Sequence, residues 1–137
     1  MTTVVAILAN VTRWILVVED DVDTREALVD ILNESGFNAL GVASVVEAFN
    51  AIVERVPALV LSDIDLGDGN GGELLDMALK ILGPEAPPFV FITGMPAAAV
   101  TGIPSSAAVL RKPVDVDALL DVAALYCLRS QKSPTSA

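Results

Sequence analysis

The amino-acid sequence predicts a single α/β domain in which helices cover both faces of a five-stranded parallel sheet. Five short runs of apolar, β-prone residues alternate with stretches of helical periodicity over 137 residues. Such alternation is typical of β-α-β units with right-handed crossovers. The strand runs contain few polar residues, as expected of parallel strands that are covered on both faces. The chain is therefore predicted to be doubly wound.

The elements are predicted from apolar patterns and from their boundary residues. In chain order, the strands are expected at 15–18, 37–42, 58–62, 89–92 and 107–110. Helix starts are indicated by capping residues, namely Asp23 with Glu26, Ser44 with Glu47, and Asp115 or Asp117. Helix ends are indicated by glycine or proline, namely Gly36, Pro57 and Gly83-Pro84. The inner faces of the first two helices are predicted to carry Ala27, Leu28, Ile31 and Leu32, then Ala48, Phe49, Ile52 and Val53.

The connection between the last two strands is too irregular for a full helix. Residues 95–106 contain two prolines and a glycine, so at most a short helical turn fits there. The fourth helix is therefore predicted to be reduced or missing. The remaining boundaries are an N-terminal arm at 1–14, a domain at 15–129, and a polar tail at 130–137 that is expected to fray.

Composition excludes several classes of function. The net charge of -10 disfavours a nucleic-acid partner, which would require clustered lysine and arginine. The absence of histidine excludes imidazole catalysis and histidine metal ligands. No apolar run reaches the roughly 18 residues of a membrane span, and residues 1–7 lack the basic start of a signal peptide. The single cysteine, Cys127, is expected to be a core residue in a reducing, cytoplasmic setting.

Several strand ends carry residues that are expected to form one site. Glu19 and Asp20 follow the first strand, Asp63 follows the third, and Lys112 follows the fifth. The carboxyl ends of parallel strands meet at one edge of the sheet, where such sheets bind ligands. Converging carboxylates repel one another unless a cation lies among them, and an all-oxygen set suits Mg²⁺ or Mn²⁺. At the same edge, Lys112 is suited to pair with a phosphoryl oxygen, and Thr93 ends the fourth strand.

The loop after Asp63 also contains motifs of other families. Residues 67–72 match the dinucleotide fingerprint G-x-G-x-x-G, but neighbouring acids would repel a pyrophosphate and the fingerprint belongs to the first β-α turn. A calcium loop starting at Asp63 fails because Leu74 stands where that loop needs glutamate. The run 63–67 resembles the D-x-D motif of haloacid-dehalogenase-type phosphatases, although that family has the motif on its first strand. A phosphatase therefore stays open as the enzyme alternative.

Together, these residues resemble the receiver domain of bacterial two-component response regulators. The resemblance covers about residues 15–129 and implies a flavodoxin-like sheet with strand order 2-1-3-4-5. Its features in chain order are Ile-Leu-Val-Val-Glu-Asp-Asp at 15–21, Asp63 after strand three, Gly71 eight residues later, Thr93-Gly94 after strand four, and Lys112-Pro113 after strand five. This combination, in this order and spacing, is specific to the family.

The resemblance implies a role for each matched residue. Asp63 would accept the phosphoryl group, Lys112 would pair with that group, and Thr93 would bond to it and move on activation. The peptide bond between residues 112 and 113 would be cis. The implied ligands of Mg²⁺, or of Mn²⁺, are Glu19, Asp20, Asp63 and the main-chain carbonyl of Asp65.

The resemblance also implies partners and limits. The phosphodonor would be a sensor histidine kinase or a phosphotransfer protein, and phosphorylation would switch the binding of a partner. Activity would be limited to magnesium-dependent self-phosphorylation and slow self-dephosphorylation, so the chain is not expected to be an enzyme in the ordinary sense. No nucleic acid or membrane is expected as a partner. A monomer or weak dimer is expected, because the usual dimer face of the family includes the fourth helix.

Two residues depart from the pattern of the family. Gly67 stands where many members have proline, and Val109 stands where the family usually has an aromatic switch residue. The usual coupling between the threonine and that aromatic ring is therefore not expected in its usual form. A pseudo-receiver that only binds other proteins is the non-enzymatic alternative.

Overall fold

The computed structural model of the chain describes residues 13–132, apart from the side chains of 98 and 128–132. Most of the predicted arm at 1–14, and the last five residues of the predicted tail, lie outside the described residues. Residues 130–132 continue the final helix rather than beginning a tail. Within 13–132, no helix is both long and apolar enough to cross a membrane.

The described residues form one main sheet and four α-helices. The strands are β1 (Ile15–Val18), β2 (Ala39–Val42), β3 (Leu59–Asp63), β4 (Phe89–Thr93) and β5 (Ala108–Arg111). The helices are α1 (Val22–Glu34), α2 (Val45–Glu54), α3 (Gly71–Leu82) and α4 (Val116–Lys132). A small antiparallel hairpin between β3 and α3 pairs Asp65–Leu66 with Gly69–Asn70.

The strand order in the main sheet is β2-β1-β3-β4-β5, and every neighbouring pair is parallel. The predicted order and the doubly wound architecture are therefore confirmed. The register aligns the carboxyl ends of the strands, because Val18 lies opposite Ser62 and Thr93 lies opposite Arg111. The residues that follow these strands leave the sheet at the same edge.

Each face of the sheet has its own apolar core. All residues of β1, β3 and β4 are buried, which explains why these strands are apolar on both sides. The core under α2 and α3 includes Leu16, Val60, Phe91, Ile52 and Leu74. The core under α1 and α4 includes Ile15, Leu61, Leu28, Leu119 and Cys127. The single thiol is thus a packed core group, as its position in the helical pattern predicts.

The connection between β4 and β5 contains no α-helix. It has only a single turn of 3₁₀ helix, Ala97–Ala99, so the prediction of a reduced or missing fourth helix is confirmed. The guanidinium of Arg111 donates to the main-chain carbonyl of Met95, which joins the start of this connection to β5. Val100 and Val109 are only half-buried, because no helix covers this end of the sheet.

The helix starts agree in part with the predicted caps. Ser44 accepts from the main-chain N–H of Glu47 at 3.1 Å, so the cap of α2 is confirmed. The cap of α1 is Asp21 rather than Asp23, because the Asp21 carboxylate accepts from the main-chain N–H of Thr24 at 2.9 Å. Three acids lie close together here, and only Asp21 immediately precedes the first helical residue.

One strand boundary and one predicted inner-face residue are wrong for local reasons. Strand β2 begins at Ala39 rather than at 37, because the main-chain N–H of Phe37 donates to the carbonyl of Leu32 and closes the end of α1. Val53 was expected on the inner face of α2 but is 46% exposed. Ile52, one residue earlier, is completely buried, since adjacent helical residues lie about 100° apart around the axis.

Trp14 lies at the opposite edge of the sheet from the strand ends described above. It directly precedes β1, it is buried, and its main-chain carbonyl accepts from the N–H of Ala58 at 2.8 Å. The guanidinium carbon of Arg55 lies 5.2 Å from the centroid of the indole ring, within the range of a cation–π contact.

Candidate functional site

The main chain brings the predicted site residues to one edge of the sheet. Hydrogen bonds between strands continue just beyond the strand ends: the N–H of Glu19 donates to Val42, and the N–H of Lys112 donates to Thr93 at 2.8 Å. Asp63 is the last residue of β3. The side chains of Glu19, Asp63 and Lys112 therefore start from a rigid backbone framework rather than from free loops.

A lysine joins two of the predicted acids. The Nζ atom of Lys112 lies 2.9 Å from Oδ2 of Asp63 and 2.9 Å from Oε1 of Glu19. Glu19 and Asp63 are both buried, whereas the lysine side chain is about a third exposed. Charge-assisted hydrogen bonds in such a partly desolvated setting are stronger than those on an open surface.

The surroundings shift the pKa of both partners of this contact. Burial raises the pKa of Glu19 above its usual value, and the charge of Asp63 adds to the rise, while Lys112 and the N–H of Asp21 oppose it. Burial alone would lower the pKa of Lys112, but hydrogen bonds to Asp63 and Glu19 outweigh this and raise it. The ammonium form of Lys112 is therefore the favoured form between the two acids.

Three carboxylates have the arrangement of a cation site. One oxygen from each of Glu19, Asp20 and Asp63 lies within 4.8 Å of the others, and Asp20 is the exposed member. A single ammonium group cannot balance three converging carboxylates, and their oxygens are the ligands that Mg²⁺ prefers. The donor set therefore fits a small divalent cation with open positions on the solvent side.

Two other acids lie beside this cluster but are engaged differently. Asp21 caps α1, and its main-chain N–H donates to Oε2 of Glu19 at 3.2 Å. The main-chain N–H of Asp65 donates to Oδ1 of Asp63 at 3.3 Å, which orients that carboxylate. The main-chain carbonyl of Asp65 as a metal ligand stays a prediction.

Thr93 is a buried residue at the same edge. It is the last residue of β4, and its Oγ1 accepts from the main-chain N–H of Met95 at 3.0 Å. The main-chain carbonyl of Ile92, just before it, accepts from the N–H of Ile64, just after Asp63. Thr93 and Asp63 thus end adjacent strands. The Lys112–Pro113 peptide bond is cis, as the resemblance implied.

Some supporting residues could not be found from the sequence. The guanidinium of Arg25 donates to the main-chain carbonyl of Glu19 at 2.9 Å. Gly41 makes room for that side chain, because a Cβ atom at this position would lie 2.8 Å from Cγ of Arg25. Gly71, by contrast, could be found from the sequence, because it is part of the family resemblance. A Cβ atom there would lie 2.7 Å from the main-chain oxygen of Asp63, so glycine allows α3 to approach the acid.

Comparison with known proteins agrees with this geometry. The sequence model of one protein family, described as the response regulator receiver domain, matches residues 15–124. The response regulator receiver protein CpdR of Brucella abortus is 34% identical over 104 residues, covering 74% of this chain and 85% of that protein. Response regulator Rre1 of Synechocystis is 31% identical over 123 residues, covering 87% of this chain and 53% of that protein. The crystal structure of a CheY-like receiver domain protein from Methanospirillum hungatei has a TM-score of 0.73 at 26% identity, covering 88% and 98% of the two chains.

Proposed function

The chain belongs to the response regulator receiver domain family, and on that premise we propose that it accepts a phosphoryl group on Asp63 in two-component signalling. Members of this family are signalling modules rather than classical enzymes. The observation that carries the proposal is the contact of Lys112 with both Asp63 and Glu19, beside an exposed Asp20. The arrangement combines a carboxylate acceptor with an ammonium group and further acids for a divalent cation.

The proposed reaction is in-line phosphoryl transfer. A carboxylate oxygen of Asp63 forms a bond to phosphorus while the bond from phosphorus to the donor breaks, and the donor keeps that electron pair. With a phosphohistidine donor, the leaving ring nitrogen keeps the electron pair and takes up a proton from solvent, which gives neutral imidazole. The ammonium group of Lys112, 2.9 Å from Oδ2 of Asp63, is placed to pair with a phosphoryl oxygen.

The metal ion would be held by the residues of the acidic cluster. Glu19, Asp20 and Asp63 are the proposed side-chain ligands, with the main-chain carbonyl of Asp65 as a fourth. When bound, Mg²⁺ supplies positive charge that the transferring phosphoryl oxygens need, and Mn²⁺ would serve in its place. Glu19 is held in position by Lys112 and by the N–H of Asp21, so its carboxylate is oriented before any ion binds.

Thr93 is the residue proposed to change its hydrogen bond first when Asp63 is phosphorylated. Its hydroxyl oxygen now accepts from the N–H of Met95, and an acyl phosphate on Asp63 would add close to two negative charges nearby. The hydroxyl would then donate to a phosphoryl oxygen, which would alter the start of the β4–β5 connection. Such a change biases a two-state equilibrium and so the binding of a partner.

Membership of the family implies the class of phosphoryl donor, the cellular location and the oligomeric state. Receiver domains typically take their phosphoryl group from histidine kinases or phosphotransfer proteins. A cytoplasmic monomer or weak dimer, partnered by a sensor kinase or a phosphotransfer protein, fits the acidic surface and the missing fourth helix. The family match leaves the phosphatase alternative without support.

A pseudo-receiver that only binds proteins is the second candidate function. It is favoured by the missing fourth helix and by Val109 at the position of the usual aromatic switch, since both change the usual output side. The presence of all the acids and of the lysine at one edge favours phosphorylation instead.

Intact-mass spectrometry after incubation with acetyl phosphate and MgCl₂ separates the two functions. We expect the unmodified chain to gain the mass of one phosphoryl group, and Asp63→Asn to gain none. Asp76→Asn is the matched control, because this exposed carboxylate on α3 is no part of the proposed site and the variant should still be phosphorylated. No mass gain in the unmodified chain, or a gain that survives Asp63→Asn, would favour the binding module.

A further inference from the structure

The hairpin between β3 and α3 is bonded to a helix that lies far from it in the chain. The carboxylate of Asp68, at the turn of the hairpin, accepts from the main-chain N–H of Val45 at 2.9 Å and of Val46 at 3.3 Å. These are the first two residues of α2. The contact thus joins the loop that follows the proposed phosphoacceptor to the N-terminus of α2.

Asp68 completes the N-terminus of α2. A helix leaves its first four N–H groups without partners inside the helix. In α2, the N–H of Glu47 donates to the side chain of Ser44, and Ala48 is the first residue whose N–H bonds within the helix, to the carbonyl of Ser44. The N–H groups of Val45 and Val46 come before these and donate to Asp68, whose negative charge also meets the positive end of the helix dipole. Asp68 thus pairs two N–H groups that have no partner within the helix.

The same hairpin lies beside the acidic cluster and contacts one of its members. The N–H of Asp65 donates to Oδ1 of Asp63. At Gly67 a Cβ atom would lie 4.0 Å from Oδ2 of Asp20, so the turn runs beside that acid. Asp65 is paired with Asn70 across the hairpin, and Leu66 is buried in the core. Movement of the turn would therefore displace the backbone of Asp65.

We propose that Asp68 is a positioning residue for the metal site, because it holds the hairpin on α2 and so holds the main chain of Asp65 next to Asp63. This inference rests on the proposed function, in which the carbonyl of Asp65 is a metal ligand. Asp68 itself does not contact the ion. It acts through the backbone that carries Asp65, as residues that support metal ligands commonly do.

Calorimetric titration of the full chain with MgCl₂ tests the proposal. We expect Asp68→Ala to weaken Mg²⁺ binding by about tenfold, the size typical for residues that support metal ligands. Asp68→Asn should give a smaller loss, because its amide oxygen can still accept from Val45. The matched control is Ser44→Ala, which removes another cap of the same helix without touching the hairpin. It should lower the melting temperature but keep the Mg²⁺ affinity of the unmodified chain.

Amide hydrogen exchange, measured without metal, tests the hydrogen bonds between Asp68 and α2 directly. In Asp68→Ala, amide hydrogen exchange at Val45, Val46 and Asp65 should become faster, whereas in Ser44→Ala the exchange at Asp65 should stay unchanged. If Asp68→Ala binds Mg²⁺ as tightly as the unmodified chain, or if Ser44→Ala loses as much affinity, the positioning role is refuted. If the unmodified chain binds no Mg²⁺, the proposed metal site fails together with this inference. Should Asp68→Ala not fold, Asp68→Asn decides by the same measurements.

Discussion

At the scale of single residues, charge balance decides what the site can hold. Lys112 contacts two carboxylates, and a third lies within reach of both. In a partly buried setting, like charges at such distances repel strongly, so one ammonium group leaves an excess of negative charge. The lysine and a divalent cation are therefore complementary: the lysine orders Glu19 and Asp63 on the protein side, and the cation would neutralise the solvent side.

Asp68→Asn should remove a share of stability that depends on pH. The hydrogen bond from Val45 is the main reason why the pKa of Asp68 lies below its usual value of 3.8, and the bond from Val46 adds to it. Because the folded-state pKa is lowered, the contribution of Asp68 is complete above the unfolded value and is lost as pH falls through the folded value. The variant should thus be less stable by a constant amount from neutral pH to about pH 5.

Chemical denaturation at a series of pH values measures this difference. Below about pH 4 the two proteins should converge, because a protonated carboxyl group resembles the amide of asparagine. An equal difference in the free energy of unfolding at strongly acidic and at neutral pH would mean that the charge of Asp68 contributes nothing.

The sequence predicted those site residues that strands carry to the edge. Glu19, Asp63 and Lys112 follow apolar runs, and the parallel arrangement of strands implies that such residues meet. Arg25 and Asp68 could not be found in this way. Both bind main-chain groups, six and 22 to 23 residues away, and every residue type offers such groups. A pattern of side chains therefore contains no sign of these contacts.

At the scale of elements, the β4–β5 connection lies directly against the first turn of α3. A Cβ atom on Gly72 would overlap the main-chain oxygen of Gly102. Gly102 itself has a φ of +84°, which favours glycine. The side chain of Asn70, which caps α3, also lies close to Gly102. The two glycines let a connection without a helix pack on α3 at backbone distance.

Gly72→Ala should lower the free energy of unfolding by about 1–3 kcal/mol, the usual cost of forcing an extra methyl group into a packed contact. The reason is that either α3 or the connection at 102 must move. Gly67→Ala is the control, because its nearest neighbouring atom would be 4.0 Å from the new methyl group. Urea denaturation compares the two. Equal stability of both variants would show that the connection does not pack on α3 in solution.

The main strands and helices were predictable, but the short hairpin and the start of α3 were not. Long apolar periodicities identified all five strands and the helices that flank them. The hairpin of Asp65–Leu66 with Gly69–Asn70 was missed because two-residue strands are too short to show a period. The capping box of Asn70 with Glu73 was also missed, since the glycines of that stretch suggested only a loop.

At the scale of the whole molecule, the three converging carboxylates predict that a divalent cation stabilises the folded state. Adding MgCl₂ should raise the melting temperature, because an ion that binds only the folded state stabilises it by mass action. At about 100 times the dissociation constant the gain is roughly 2.7 kcal/mol, or several degrees for a chain of this size. Chelation should reverse it.

Asp20→Asn is the informative comparison, measured by differential scanning fluorimetry with and without MgCl₂. The variant should lose most of the magnesium-dependent gain. Its melting temperature without the ion should equal or exceed that of the unmodified chain, because one of three repelling carboxylates is gone. A variant that keeps the full gain would place the ion elsewhere.

The architecture was predictable because its pattern is repeated along the chain. Alternating strands and helices imply a parallel sheet, and right-handed crossovers limit how it can be wound. The strand order followed from the family resemblance rather than from periodicity. The absence of a fourth helix followed from Pro96, Gly102 and Pro104, which interrupt any helix between β4 and β5.

The position of Trp14 has an optical consequence. It is the only tryptophan, and it lies beneath Arg55 at the edge of the sheet that is remote from Asp63. Ultraviolet emission from this indole would report loss of the native state, since unfolding exposes the ring to water. Chemistry at the far edge would leave its surroundings intact, so a fluorophore for following the proposed phosphorylation of Asp63 must be introduced elsewhere in the chain.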